Sequence, residues 1–561
     1  MKKKPYGGEL VISEVKRVNG QPRLFVGGEA VPQMAYITYK TENNRYENFS
    51  KAGVKLYSVN LNFSEAPIGE IAPVLVFQKG IFQNGEPDFS IVDKNFDEIL
   101  SVCPDALIFP RVNVNLSLEW ERENPDELCE YGMNKRTRVS LASDLWAKEV
   151  KDKLIRLIDY IENSRYADNV IGYQIAGGNT EEWLPFEDYG AYGKRAKEKF
   201  LRLCEEKNLE KNEENYFRFA SEMTAQRIIE FASVAKDAVG NRKIVGAFYG
   251  YTIGCPHRVQ CHLALNKILE SDKIDFLCSP LTYAHARQPG LDPYPMVPID
   301  SLSLHGKLYF SENDIRTHLS RPPSPHPRYS MPIWFGPGRE TSIEQIKLNF
   351  CRAFTHGHGM WWFDMWGGWY DDAEMMENFS KMQKICENGM DKKSSEIAVF
   401  TDENCYFALR DHKNIILNIC NSIGLSGAMY DIFLASDFEK VYNKYKICVF
   451  VQPKETELMS SCIKTAKENR KIATVITDDD EVDCEFFKKL FEDNGITVPT
   501  KQKAVVYNSE KHIVFYAHEK GKYDFSFDGK NMFTDLFTGK EISFPTEIKK
   551  TVCWLFERSE L

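Results

Sequence analysis

The sequence predicts an α/β chain: a (β/α)8 TIM barrel, then a small α/β domain, then a small C-terminal β-domain. Short apolar runs alternate with amphipathic stretches through residues 1–390, the pattern of parallel βα units. A tighter strand–helix rhythm follows over 391–499, and the stretch 500–561 is almost wholly β in character. At roughly 150 residues per domain, 561 residues accommodate one large barrel and two smaller units with those boundaries.

The chain begins with a hairpin, ELVISEVKRV and RLFVGGEAV around an NGQP turn. Eight barrel strands are expected at 32–38, 54–63, 105–114, 169–177, 243–251, 274–283, 306–312 and 359–366. Helical patterns fall at 142–164, 190–207, 212–239, 258–271 and 341–356. A doubly wound open sheet could also use eight strands, but no GxGxxG or Walker-type loop accompanies them. EIAVFTD, YDIFLAS, KICVFVQP and KIATVITDD supply the second domain's strands. AVVYNS, HIVFYAHE, YDFSFDG, NMFTDLFTG and KTVCWLFER supply the last domain's.

The net charge of −10 has the wrong sign for a general nucleic-acid binder. Hydrophobic and charged fractions of 43% and 27% exclude a disordered chain. No run reaches the roughly 20 apolar residues of a membrane helix, and the basic start MKKKPYGGELVIS lacks the apolar core of a signal peptide. The 14 cysteines include no CxxC pair and mostly sit in apolar runs, as reduced cysteines do. A cytoplasmic protein is expected. Cys255, His257, Cys261 and His262 cluster in GCPHRVQCH, but the spacing is not a zinc pattern, and a loop entering a helix is the simpler reading. Neither a metal nor an organic cofactor is expected. The outstanding figure is 13% aromatic residues, which serve either as core or as platforms for a ring-shaped ligand.

Function in such a barrel belongs at the C-terminal ends of the strands. Strand 3 ends in Arg111 and Asn113, strand 4 in Asn179, Glu181, Glu182 and Trp183, and strand 5 in Tyr249 and Tyr251. Strand 6 ends in Ser279 and Tyr283, strand 7 in Glu312 and Asp314, and strand 8 in Trp361, Trp362, Asp364, Trp366 and Trp369. Carboxylates on strands 4 and 7 can face each other across a bound sugar. Retaining glycoside cleavage needs such a pair, one to protonate the leaving oxygen and one to attack the anomeric carbon. Arg111 can help keep the attacking group ionised, and aromatic rings suit the apolar faces of a sugar. Each acidic residue taken alone could instead be a helix N-cap. Asp314 is expected to cap or to pair with Arg316. Of Trp361 and Trp362, one is expected in the core. Trp366 and Trp369 lie beyond the strand, where stacking on a ligand is expected.

On these residues the chain resembles clan A retaining glycoside hydrolases, in which strand 4 carries the acid/base Glu and strand 7 the nucleophile Glu. The domain layout is similar to that of the family 42 β-galactosidases, which join a barrel to an α/β (flavodoxin/amidotransferase-like) domain used for trimerisation and a small β-domain. The resemblance covers the whole chain in architecture and strands 3, 4, 7 and 8 in motif. The clan usually has Asn directly before the acid/base Glu; here the segment is GGNTEEW, with Asn179 displaced. Nothing here matches the cysteine zinc cluster common in family 42, which points to a neighbouring family such as the family 164 β-mannosidases.

The resemblance implies an exo-acting retaining β-glycoside hydrolase that releases a terminal hexose, β-galactosidase-like. Glu182 is the expected acid/base, with Glu181 as alternate, and Glu312 the nucleophile. Arg111, Asn113, Asn179, Tyr249, Tyr283, Asp364 and Trp366 are the expected substrate-binding residues. The expected partners are an oligosaccharide or glycoside and further copies of the chain, as in a trimer. A β-mannosidase or β-glucosidase of the same mechanism, or a catalytically silent carbohydrate-binding protein, are the alternatives.

Overall fold

The computed structural model describes residues 11–66, 79–83, 86–130, 138–185, 193–253, 257–283, 287–321, 335–387, 389, 395–409 and 415–558. Cys255 of the GCPHRVQCH cluster lies outside them. The chain opens with the expected hairpin, β1 (Ser13–Val18) and β2 (Gln21–Val26), extended by β3 (Glu29–Ala30). Its turn is Asn19–Gly20, both at positive φ, which matches the twist of two-residue hairpins. Ser13 binds the Arg242 carbonyl and the Ile244 amide. The hairpin thus covers the N-terminal end of the barrel and leaves the C-terminal end for the site.

The barrel strands are β4 (Met34–Ile37), β5 (Leu56–Tyr57) with β6 (Asn60–Asn62), β7 (Leu107–Ile108) with β8 (Arg111–Asn113), and β9 (Gly172–Ala176). They continue as β10 (Ile244–Phe248), β11 (Phe276–Pro280), β12 (Leu308–Asn313) and β13 (Gly359–Phe363). All eight expected strands are present, each somewhat shorter than its apolar run. The second and third are each interrupted. Pro110 has no amide to donate, and the Ser58 hydroxyl binds the Phe109 carbonyl at the break. Pairing runs in parallel around the ring, β13 to β4, β4 to β5, β5 to β7, β6 to β8 and on through β13, so the sheet closes. The expected helices are observed as Asp144–Glu162, Lys194–Lys207, Glu213–Ala238 and Arg339–His356. The pattern at 258–271 resolves into a 3-10 turn, Arg258–Gln260, and a short helix, Leu265–Leu269.

Alternation along the strands fills the interior. Phe109, Phe276, Phe310 and Trp361 contact one another with ring centroids 5.5–6.0 Å apart. They form an apolar floor one layer below the strand ends. Trp362, one residue on, points the other way and packs on Phe379 of the helix Ala373–Glu387. Both tryptophans are therefore buried. Much of the aromatic excess is core, the first of the two uses that the composition leaves open.

After the barrel, β14 (Ile397–Thr401), β15 (Asp431–Leu434), β16 (Ile447–Val451) and β17 (Ile472–Ile476) form a parallel sheet in the order β15-β14-β16-β17. The final stretch is antiparallel, with Ala504–Asn508, His512–Ala517 and Cys553–Glu557 forming one sheet and two small ribbons beside it. The pieces are joined by buried polar contacts. Asp300 and Ser301 receive the Ile432 and Leu434 amides, and Glu403 receives the Leu265 amide at 2.7 Å.

Candidate active site

The site is built from polar residues that interrupt apolar strands at their C-terminal ends. Asn60, Arg111 and Gln174 are register partners on β6, β8 and β9. Glu312 stands beside Trp361 in the β12–β13 pairing. Burial of so much polarity is tolerated only where it is paired.

After β9 the chain makes a tight loop. Gly178 takes φ +70°, and a Cβ there would meet the Leu184 carbonyl at 2.5 Å. The Asn115 side chain holds both backbone groups of Gly178 at 3.0 Å. Thr180, Glu181 and Trp183 also adopt positive φ, an unusual density for non-glycine residues and one typical of functional loops. Trp183 anchors the loop: it is fully buried and its indole donates to the Ile175 carbonyl at 3.0 Å.

This geometry sends the two adjacent glutamates to different surroundings. Glu181 is fully buried. Its carboxylate receives Asn60 Nδ2 at 2.7 Å and Asn113 Nδ2 at 3.0 Å, and lies 3.1 Å from Arg111 Nε. Glu182 is half-buried, and among the described residues its carboxylate receives the hydroxyls of Thr180 at 2.7 Å and Tyr251 at 2.8 Å. Glu312 is buried and 3.4 Å from Arg111 Nη1. Arg111 thus sits between Glu181 and Glu312, with its charge also 5.7 Å from the centre of the Tyr39 ring.

Burial pushes the Glu312 carboxyl up to about 8; Arg111 opposes the rise, and the nearby Glu182 and Asp314 carboxylates add to it. Burial raises Glu182 too, with Thr180, Tyr251 and Arg111 pulling back. Two carboxyls that feel each other titrate as a pair.

The other expected residues separate. Asn113 lies within the cluster, on Glu181. Tyr283 lies at the mouth, in the fields of Asp314, Glu182 and Glu312, with the Arg287 guanidinium 4.0 Å over its ring. Trp366 is almost buried, 6.1 Å from Tyr39. Asn179 serves the loop through its backbone, bonded to Leu184 and Glu182. Tyr249 is a correction: it is fully buried, stacks on His262 at 4.5 Å, and its hydroxyl receives the Ala264 amide. Tyr251, two residues on, is the strand-5 tyrosine that meets a carboxylate. Asp364 is a second correction. It is fully buried and accepts from Tyr36 OH at 3.0 Å and from the Gly368 and Trp369 amides at 2.8 Å, which makes it the clamp of its own loop. Trp369, too, is buried beneath Arg316.

Asp314 does pair with Arg316, at 2.9 Å, and also with Arg287, at 2.7 Å. The second pairing was not foreseen, nor were Tyr39, Asn60 and Thr180. Asn60 had a signal: VNLNF and PRVNV both place polar residues two apart at the end of an apolar strand. Tyr39 and Arg287 lie in loops and had none. Among the described residues no group of His, Cys, Asp and Glu could hold a metal ion. No helix there is long and apolar enough to cross a membrane.

No protein-family model matches the chain, and no curated protein matches it. Solved structures do. A β-galactosidase from Bacillus circulans sp. alkalophilus superposes with a TM-score of 0.64 at 11% identity, covering 94% of this chain and 99% of that one. A catalytic mutant of a GH42 β-galactosidase from G. stearothermophilus gives 0.62 at 9% identity, covering 91% and 95%. A GH42 exo-carrageenase from Bacteroides ovatus gives 0.59 at 12% identity, covering 97% and 84%. Because the matches run over nearly the full length of both chains, the likeness includes the two domains after the barrel. The chain shares its fold, a barrel followed by two smaller domains, with these β-galactosidases and the exo-carrageenase.

Proposed function

We propose that the protein is an exo-acting retaining β-glycoside hydrolase. The observation that carries this is the contrast between the two strand-end carboxyls. Glu312 has a cation, Arg111, beside it, whereas the bonds to the Glu182 side chain come from hydroxyls. Arg111 opposes the upward push of burial on Glu312, and the reaction runs from the state in which Glu312 carries the charge and Glu182 the proton. Glu182 then donates that proton to the departing oxygen as the Glu312 carboxylate attacks the anomeric carbon. Glu182, now ionised, takes a proton from water as that water displaces Glu312 from the glycosyl-enzyme. The proton count closes over one turnover. The apolar floor under the pair lowers the local dielectric and strengthens each of these interactions.

The substrate is a glycoside with a terminal β-linked hexose. The fold likeness favours a β-galactoside, with a β-mannoside or β-glucoside as the other arms of the test. A panel of aryl β-glycosides reads activity and preference together. Glu312→Gly is expected to abolish turnover and to form an inverted glycosyl azide when azide is added. Full activity in Glu312→Gly would end this assignment. Assembly as a trimer through the α/β domain belongs to the same proposal, and sedimentation at the mass of a single chain would remove it.

A further inference from the structure

Glu181 is a carboxylate of the cluster that the reaction above does not use. It is also the most completely fastened. Asn113 cannot be turned to offer its oxygen to Glu181, because that oxygen already accepts the Asn115 amide at 3.1 Å. Arg111 offers donors alone. Burial raises the Glu181 carboxyl, and Arg111, Asn60 and Asn113 pull it back toward the charged form. Glu181 meets Arg111 twice: its carboxylate lies 3.1 Å from Nε as an ion pair without a hydrogen bond at that nitrogen, and its own backbone carbonyl accepts from Nη2 at 3.3 Å. The remaining terminal nitrogen, Nη1, faces Glu312. A guanidinium is planar, so bonding Nη2 and seating a carboxylate against the Nε edge orients Nη1.

We propose that Glu181 is a positioning residue that sets the Arg111 guanidinium on the Glu312 carboxylate. The left-handed backbone at Thr180 and Glu181 serves this arrangement. It turns Glu181 inward and down onto Arg111 while its neighbour Glu182 turns to the mouth. A fully buried carboxylate held by three side chains has no exposed face for a leaving group, so Glu181 is not an acid catalyst. The inference rests on Glu182 and Glu312 being the reacting pair.

The test separates an effect on the nucleophile from an effect on the proton donor. Aryl glycosides of graded leaving-group pKa are hydrolysed by Glu181→Gln, Arg111→Lys, the double variant and Glu182→Ala. Misplacing a reacting group by about 1 Å costs roughly 100-fold. Glu181→Gln is expected to lose kcat by about that order, equally for every leaving group, with KM little changed and no rescue by azide. Arg111→Lys is expected to lose as much. The double variant should be no slower than Arg111→Lys alone, because Glu181 acts through Arg111. If Glu181→Gln does not fold, Glu181→Asp, which keeps the charge but withdraws it by one methylene, is expected to show a smaller loss of the same leaving-group-independent kind. A loss that grows with leaving-group pKa, or azide rescue of a Glu181 variant, overturns the proposal, and so do losses that multiply in the double variant. Glu182→Ala controls the underlying reading: it should show a steep leaving-group dependence and give a retained glycosyl azide. Failure there, with the Glu181–Arg111 coupling intact, removes the assigned acid without touching the coupling.

Discussion

The Tyr251 hydroxyl donates to Glu182 Oε2 at 2.8 Å, joining the end of β10 to the loop after β9. That bond favours the ionised form of Glu182, which is the form needed to activate water. A hydrogen bond to a charged group contributes about 1.5 kcal/mol, roughly tenfold in rate. Tyr251→Phe is expected to lower kcat by about that factor. It also removes an interaction that pulls the Glu182 carboxyl down, so the acid proton is held to higher pH. The alkaline limb of the pH–rate profile should therefore move upward. An unmoved or lowered limb would show that Tyr251 does not act on the titrating acid.

Tyr249 provides the contrast. Its hydroxyl is used by the Ala264 amide and its ring by His262, away from the carboxylates. Tyr249→Phe should leave kcat and KM unchanged and cost about 1 kcal/mol of stability for the lost hydrogen bond. Urea unfolding and aryl-glycoside kinetics on the same preparation check both halves. A fall in kcat without loss of stability contradicts the placement.

The barrel was legible because each strand is an apolar run with a polar or aromatic break at its end, and because helix-period patterns separate the runs. The residues at those breaks were legible as candidates, but which way they face was not. Tyr249 and Tyr251 are two apart, and the sequence assigns them one face. The strand ends at Phe248, so the period of two no longer applies and the tyrosines diverge. The same limit governs Glu181 and Glu182, whose directions depend on positive φ at Thr180 and Glu181, a conformation that no residue type there announces. Asp364 looked like a ligand for sugar because it follows a strand. Its partners, the Gly368 and Trp369 amides, are supplied by a turn of the chain that local pattern does not encode. Tyr39 reaches the site through barrel closure, a contact between strands far apart in sequence.

Asp364 should behave as a loop clamp. Asn in its place keeps one carbonyl oxygen but sets an amide donor against one of the two loop amides, so Asp364→Asn should unfold more readily and show a raised KM as the Trp366 segment loosens. The pH dependence has a definite sign. Burial pushes this carboxyl up to about 6, so the folded protein holds its proton where the unfolded chain has released it. The stability Asp364 provides is full below the ordinary carboxylate range and falls as pH rises from about 4 through about 6. The stability deficit of Asp364→Asn, read by urea unfolding, should therefore shrink across that interval; a deficit that widens would reverse the assignment.

Asp292 joins all three parts of the chain. It lies in the segment after β11, fully buried, 3.1 Å from Arg352 of the helix Arg339–His356. It also accepts from Tyr507 in the C-terminal sheet. Its backbone amide donates to Asn421 Oδ1, and a Cβ at Gly424 would clash with its carboxylate, so the helix Ile415–Leu425 rests directly on it. Arg352 in turn stacks on the Tyr507 ring at 5.1 Å. Removing one partner of a buried ion pair costs about 3–5 kcal/mol, because the other charge stays buried, whereas replacing both with apolar groups costs far less. Asp292→Leu and Arg352→Met should each destabilise by about that amount. The double variant should recover most of the loss, since the two residues share one interaction. Urea unfolding of the four proteins gives the coupling directly. If the two losses simply add, the pair is not the joint that holds the three parts together.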